Sequence, residues 1–101
     1  MPIEGELYSW NERNVNTIAQ DAGVYTFYYR NGELIYIGST ENLRERFQDY
    51  RRNNFSDDPC KKDTTHYKRE FTNNHEQREQ ELLEEYKQEH NRLPRCNDII
   101  P

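Results

Sequence analysis

Apolar and polar positions alternate most regularly between residues 23 and 38. Gly23-Val24-Tyr25-Thr26-Phe27-Tyr28-Tyr29-Arg30 is rich in β-branched and aromatic side chains, and Glu33-Leu34-Ile35-Tyr36-Ile37-Gly38 follows after only Asn31-Gly32. Asn-Gly accommodates the two positive φ angles of a type I′ turn, so the pattern predicts a hairpin with a two-residue turn. That turn sets the register: Arg30 stands opposite Glu33, Phe27 opposite Tyr36, and Tyr25 opposite Gly38. The period of two then places Tyr25, Phe27, Tyr29, Leu34 and Tyr36 on one face. Val24, Thr26, Tyr28, Ile35 and Ile37 take the other. A glycine opposite Tyr25 leaves open space beside its ring.

The pattern changes to a helical period after Gly38. Ser39 or Thr40 is a candidate cap for a helix running to about Arg52, in which Leu43, Phe47 and Tyr50 fall at i, i+4 and i+7. Arg46 lies on the border of that apolar side, one turn from Leu43 and from Tyr50. Residues 53–63 read as a surface loop, and Thr64 to Thr72 as a third strand. Asn73 or Asn74 can cap a long helix to about His90, with Glu76 or Gln77 placed to complete a capping box. A shorter helix near Asn11–Gln20 precedes the hairpin, and Pro94 and Pro101 punctuate the tail. The order α-β-β-α-β-α predicts one α+β domain over residues 1–101: a small three-stranded antiparallel sheet with helices packed against it.

Composition refines this picture. Leu, Ile, Val and Phe together make 18 of 101 residues, a low share that signals disorder only beside a high net charge. The net charge is −5, the charged residues carry both signs, and eight Tyr, four Phe and one Trp supply the missing apolar area. The core therefore leans on tyrosine. No apolar run approaches the ~18 residues that cross a bilayer, and the start, Met1-Pro2-Ile3-Glu4-Gly5-Glu6, does not read as a secretory signal. Two cysteines, Cys60 and Cys96, are too few for a disulfide scaffold, which makes a reducing cytoplasm the default setting. A pI near 5.2 excludes a protein that coats nucleic acid through bulk positive charge, though not one that grips a few phosphates locally. Residues 31–70 hold eight of the fourteen basic side chains.

The long helix carries one anomaly. Its apolar stripe is Leu82, Leu83 and Tyr86, and one turn further back the same stripe meets Glu79 and His75. A carboxylate at the edge of a core is costly unless paired, protonated or bound to a cation. On periodicity alone, a stripe that simply ends before Glu79 is the plainer explanation. Taken singly, Tyr25 and Tyr36 likewise read as core aromatics and Arg46 as a solvated helix residue. A zinc site from Cys60, His66, His90 and Cys96 lacks any C-x-x-C or H-x-x-x-H spacing.

Together the pieces resemble one family. Gly23-Val24-Tyr25, then Tyr36-Ile37-Gly38, then Asn42-Leu43-Arg44-Glu45-Arg46-Phe47, then Glu-x-x-Leu-Leu and Pro-x-x-Asn, resemble the GIY-YIG nucleases over roughly residues 22–97. That family includes nuclease domains of excision-repair and intron-homing endonucleases. The resemblance implies catalytic roles for Tyr25, Tyr36, Arg46, Tyr50, Glu79 and Asn97, with Glu79 as ligand of Mg²⁺ or Mn²⁺. Two departures stand out: Ser39 where excision-repair members often carry lysine, and a longer stretch between Glu79 and Asn97, which keeps Glu76 as a second candidate ligand.

The chemistry fits phosphodiester hydrolysis. One carboxylate suits Mg²⁺, which keeps most of its waters and acts as a Lewis acid that steadies the leaving 3′ oxygen. Arg46 offers a fork of donors to phosphate. Tyr36, or else Tyr25, takes or relays a proton from water, and its ordinary pKa near 10 demands a cationic neighbour. Ser39, Arg44, Lys61, Lys62, Lys68 and Arg69 are candidate nucleic-acid contacts. The expected activity is a metal-dependent endonuclease on DNA, with specificity from the 53–66 loop, homo-oligomerisation or a targeting partner. An RNA substrate, or a binding adaptor that has lost the reaction, are the alternatives.

Overall fold

The hairpin forms the centre of the fold. The computed structural model describes residues 3–97; Pro101 and the last residues of the expected domain lie outside them. In chain order the elements are β1 (Tyr8–Ser9), α1 (Glu12–Asn16), β2 (Gly23–Tyr28), β3 (Leu34–Thr40), α2 (Leu43–Asn53), a 3₁₀ turn (Pro59–Asp63), β4 (His66–Phe71) and α3 (His75–His90). The strands form one antiparallel sheet in the order β1-β4-β2-β3. It has four strands rather than three. The additional strand, β1, pairs only Tyr8 and Ser9 with Tyr67 and His66, too short a stretch to leave a periodic signature.

Two irregularities in the hairpin offset each other. The Tyr29 N–H donates to the Glu33 carbonyl and the Gly32 N–H to the Tyr29 carbonyl, with positive φ at Gly32 but not at Asn31. The loop is therefore Arg30-Asn31-Gly32, closed by glycine, and not the two-residue type I′ turn that Asn-Gly predicts. Tyr29, not Arg30, stands opposite Glu33. A bulge beyond Tyr28 then shifts the ladder by one. From there on the register matches the sequence expectation, with Phe27 opposite Tyr36 and Tyr25 opposite Gly38. Between the two irregularities the faces exchange: Leu34 joins Val24, Tyr28 and Ile37, while Ile35 joins Tyr25 and Phe27.

The sheet is covered on both sides. On the face of Tyr25, Phe27 and Tyr67 lie Trp10, Val15, Ile18, Phe55, and Leu43 and Phe47 of α2. On the opposite face Leu82 and Tyr86 of α3 pack with Ile3 against Val24 and Ile37. The α2 helix starts later than Ser39 or Thr40, because β3 continues through Thr40. Asn42 is the cap, its side chain accepting from the Glu45 N–H at 3.0 Å. At α3, Asn74 occupies the cap position without a side-chain capping bond, so no capping box closes there. The first helix spans five residues rather than ten. The 53–63 loop contains the 3₁₀ turn begun by Pro59. Cys60 and Cys96, too few to predict a disulfide framework, are bonded to each other across 36 residues, which removes both from any zinc site.

Gly23 marks a point of close backbone approach. A Cβ there would stand 2.3 Å from the Glu70 carbonyl oxygen and 2.8 Å from Leu43 Cδ1, and a ladder carbonyl cannot move aside cheaply. Gly23→Ala is expected to lower stability by about 1–3 kcal/mol through overpacking, read as a lower urea midpoint at unchanged slope.

Candidate active site

Tyr25 anchors the site. It sits on the central strand β2, fully buried, with its ring lying over Gly38 of β3. The space that the sequence leaves beside Tyr25 is filled by Tyr25 itself: a Cβ at Gly38 would stand 2.6 Å from the Tyr25 Cζ and Oη atoms and 2.6 Å from the Tyr36 ring. Phe27 and Phe47 hold the ring in place, with centroids 5.1 Å away. The Tyr25 hydroxyl emerges toward α2 and shares a hydrogen bond with the Tyr50 hydroxyl at 2.9 Å. Tyr36, half-buried on the edge strand β3, has its ring 6.0 Å from that of Tyr25. Arg46 stands one turn before Tyr50, on the exposed border of α2. The three predicted tyrosines and the arginine thus converge.

A fourth side chain joins them. Lys61, on the 3₁₀ turn, donates to Tyr50 Oη at 3.1 Å and places its ammonium 3.6 Å from the Tyr36 ring centroid. The sequence places Lys61 among surface contacts to nucleic acid; the fold buries it, 5% exposed. Nothing in the local pattern marks this lysine apart from Lys62 beside it. Only the packing of the turn onto the tyrosine rings separates them.

Burial dominates the protonation of these groups. Tyr25 is pushed well above the ordinary phenol value, first by desolvation and then by Tyr50 and Tyr36, against the pull of Arg46. Tyr36 is also raised by burial, opposed by the Lys61 charge and slightly helped by Glu79. Desolvation pulls Arg46 down, but the phenols of Tyr25, Tyr50 and Tyr36 outweigh it and hold the guanidinium above its usual value. Lys61 behaves alike: burial opposes its charge, while Tyr50, Tyr36 and Asp58 more than restore it. The result is that Tyr25 and Tyr36 hold their protons tightly beside the two cations, Arg46 and Lys61.

Glu79 approaches from the other side of the sheet. It sits on α3 at the edge of the buried stripe of Leu82 and Tyr86 and accepts a hydrogen bond from Ser39 Oγ at 2.5 Å. Ser39 pairs with Val24 in the ladder and so faces α3. Because β3 is an edge strand, Glu79 still acts electrostatically on Tyr36. An open cleft of about 710 Å³ lies alongside, bounded by Ser39, Glu45, Arg46, Asp49, His75 and Glu76. The donor set fits a hard cation: one carboxylate with one oxygen engaged by a hydroxyl, next to a cleft wide enough for a hydrated ion. Among the described residues no three His, Cys, Asp or Glu side chains converge into a metal cage. Glu76 lines the cleft but is exposed.

Asn97 takes a different position from the other candidates. Its carboxamide oxygen accepts from the Ile37 N–H at 2.8 Å and its amide donates to the Ile37 carbonyl at 2.9 Å. It grips the backbone beside Tyr36. The remaining candidates disperse. Arg44 Nε bonds the Ile18 carbonyl at 2.6 Å. Lys68 reaches the Ile3 carbonyl at 3.3 Å, on the α3 face. Arg69 stacks on Tyr8, on the opposite face. Lys62 alone of these six side chains is exposed.

The same fold occurs in the GIY-YIG N-terminal endonuclease domain of UvrC from Thermotoga maritima, solved as a point mutant bound to its catalytic divalent cation. The two share 17% identity with a TM-score of 0.62, over 88% of this chain and 93% of that one. No curated protein sequence matches. The family model described as the GIY-YIG catalytic domain matches residues 21–93. The chain belongs to the GIY-YIG family, a family of nucleases. No helix among the described residues is long and apolar enough to cross a membrane.

The buried phenols carry a consequence for alkaline stability. Tyr25, Tyr28 and Tyr36 bind their protons more tightly folded than unfolded, and Tyr67 is pushed up to about 12, chiefly by burial. Their contribution is complete below the unfolded value of about 10. It is lost as pH rises from there through the folded-state values. The urea midpoint is expected to hold steady from neutral pH to about pH 9.5 and to fall steeply above it.

Proposed function

We propose that the protein is a divalent-metal-dependent endonuclease that hydrolyses phosphodiester bonds in DNA. The observation that carries this reading is the convergence of Tyr25, Tyr36, Tyr50 and Arg46 beside an edge strand whose other face meets Glu79. In the UvrC domain of the same fold the bound divalent cation is catalytic. Here Glu79 is the proposed ligand, oriented by Ser39, with Mg²⁺ or Mn²⁺ supplying Lewis acidity at the scissile phosphate when bound.

The chain's own groups then divide the work. Arg46, exposed to the cleft and held charged, binds the phosphate oxygens. Tyr36 is half-buried and reachable, so it is the phenol that takes or relays the proton of the attacking water. Tyr25 is sealed from solvent and acts through position: its hydroxyl fixes that of Tyr50. Asn97 holds the strand that carries Tyr36. Lys62 is a candidate backbone contact beyond the cleft. With few cations facing the cleft, phosphate contacts are few and binding is weak, and targeting depends on a partner or on a second copy.

The test is incubation of the purified protein with plasmid DNA, single-stranded DNA and RNA, with Mg²⁺ or Mn²⁺ and then with EDTA. DNA cutting that needs the metal is expected, abolished in Glu79→Ala and retained in Glu76→Ala. Cutting that survives EDTA overturns the metal-dependent mechanism; a preference for RNA overturns the substrate; binding without cutting under either metal favours an adaptor. Tyr36→Phe is expected to lower kcat by on the order of 10²–10⁴-fold. Since burial raises Tyr36, log kcat is expected to climb with pH and to show no plateau below about 10; a plateau near neutral pH would assign the proton to another group.

A further inference from the structure

Lys61 is placed unlike a phosphate-gripping lysine. Its ammonium is buried and its contacts are used: Asp58 Oδ2 at 3.0 Å, Tyr50 Oη at 3.1 Å and the Tyr36 ring at 3.6 Å from its centroid. Three donors thus meet three acceptors. A phosphate could reach this ammonium only by displacing one of them. Through Tyr50 the same cation is linked to the Tyr25 hydroxyl. Negative charge on Tyr36, present once its phenol proton has left and cancelled when it takes a proton from water, would lie beside a cation already desolvated and already in place, which is the arrangement that lowers reorganisation cost.

A covalent bond adjoins it as well. The 3₁₀ turn that presents it is a single five-residue piece, Pro59–Asp63, with Lys61 N–H donating to the Asp58 carbonyl at 3.1 Å and Thr64 N–H to the Lys61 carbonyl at 3.0 Å. Such turns are short and poorly bonded. The residue before Lys61 is Cys60, bonded to Cys96, and the residue after Cys96 is Asn97, which clasps Ile37 next to Tyr36. The Cys96 N–H also donates to the Ile35 carbonyl at 2.7 Å. One sulfur–sulfur bond therefore ties the backbone that carries the cation to the backbone that carries the phenol.

We infer that Lys61 is a positioning residue of the hydrolytic site, the fixed cation of its tyrosine cluster, and that the Cys60–Cys96 disulfide seats it. The catalytic half rests on the nuclease reading above. Reduction by a dithiol transfers two electrons and two protons: the Cys60–Cys96 bond breaks into two thiols while the dithiol closes its own disulfide. The turn is then held by its hydrogen bonds, the Lys61 contacts and the Asp63–Arg95 ion pair at 3.5 Å. On this reading, loss of the bond loosens the seat of Lys61 and slows cutting, which makes the activity responsive to the thiol balance.

The experiment compares wild type, Lys61→Met, Lys61→Arg and the double variant Cys60→Ser/Cys96→Ser, each checked for a cooperative unfolding transition. Cleavage of DNA with Mg²⁺ or Mn²⁺ is measured with and without dithiothreitol. In parallel, amine acylation of the oxidised and reduced protein is mapped by mass spectrometry, with Lys62 as internal standard. The expected result is a kcat loss of about 10²-fold in Lys61→Met, KM unchanged within about twofold, and partial rescue by Lys61→Arg. Reduction is expected to lower wild-type kcat about tenfold, to leave Lys61→Met unaffected, and to be mimicked by the double serine variant. Lys61 is expected to resist acylation when oxidised and to react after reduction, while Lys62 reacts in both states.

Raised KM at unchanged kcat in Lys61→Met, or no rescue by Lys61→Arg in a folded protein, overturns the positioning role. Equal acylation of Lys61 in both redox states overturns the seating by the disulfide. If the oxidised wild type cuts no nucleic acid under either metal, the nuclease reading fails and takes the positioning role with it. The acylation map still decides the seating on its own.

Discussion

Everything in the site is referred to one cross-strand packing constraint: the Tyr25 ring needs the space that Gly38 leaves empty. Tyr25 lies on a central strand with a neighbour on each side, so its backbone has no freedom to adjust. Laying the ring across a glycine lets the hydroxyl exit sideways toward α2 instead of being trapped under the sheet. Tyr50 meets that hydroxyl because Leu43 and Phe47, on the same side of α2, are fully buried against the same face. Arg46 then inherits its border position from the helical period. The Tyr25–Gly38 pair is thus both a packing contact and the coordinate origin of the polar groups.

Electrostatics then works against burial. An acidic chain with an aromatic core gives little help to a phosphodiester. The fold answers by keeping two cations, Arg46 and Lys61, beside the phenols. Four carboxylates, Glu41, Glu45, Asp49 and Glu76, line the cleft. Their repulsion of phosphate is offset by Arg46 and by any cation bound at Glu79. Local arrangement, and not net charge, sets what the cleft accepts.

Much of this was legible in the sequence, and the reasons it was are specific. The two faces of the hairpin follow from alternation, while the pairings of Tyr25 with Gly38 and Phe27 with Tyr36, expected from a two-residue turn, hold because the bulge offsets the longer loop. The exchange of Leu34 and Ile35 between faces was not legible, because it depends on how Gly32 closes the loop and on a bulge that one residue of slack creates. β1 was missed because two residues show no period. The burial of Lys61 and the pairing of Cys60 with Cys96 arise from contacts between segments far apart in the chain, where no local rule applies. Three strands and two separate cysteines were the natural reading of the pattern; tertiary contact supplied the fourth strand and the bond.

The grip of Asn97 on Ile37 has a consequence beyond the site. With strand order β1-β4-β2-β3, β3 is an outer strand whose N–H and C=O groups point away from the sheet. Asn97 satisfies both main-chain groups of Ile37 through its side chain, and the Cys96 N–H takes the Ile35 carbonyl. The tail thereby occupies the Ile35–Ile37 part of the row along which another chain's strand would add. Over Ile35–Ile37, strand addition, the ordinary hazard of an unpaired β edge, is met by a carboxamide and one peptide group.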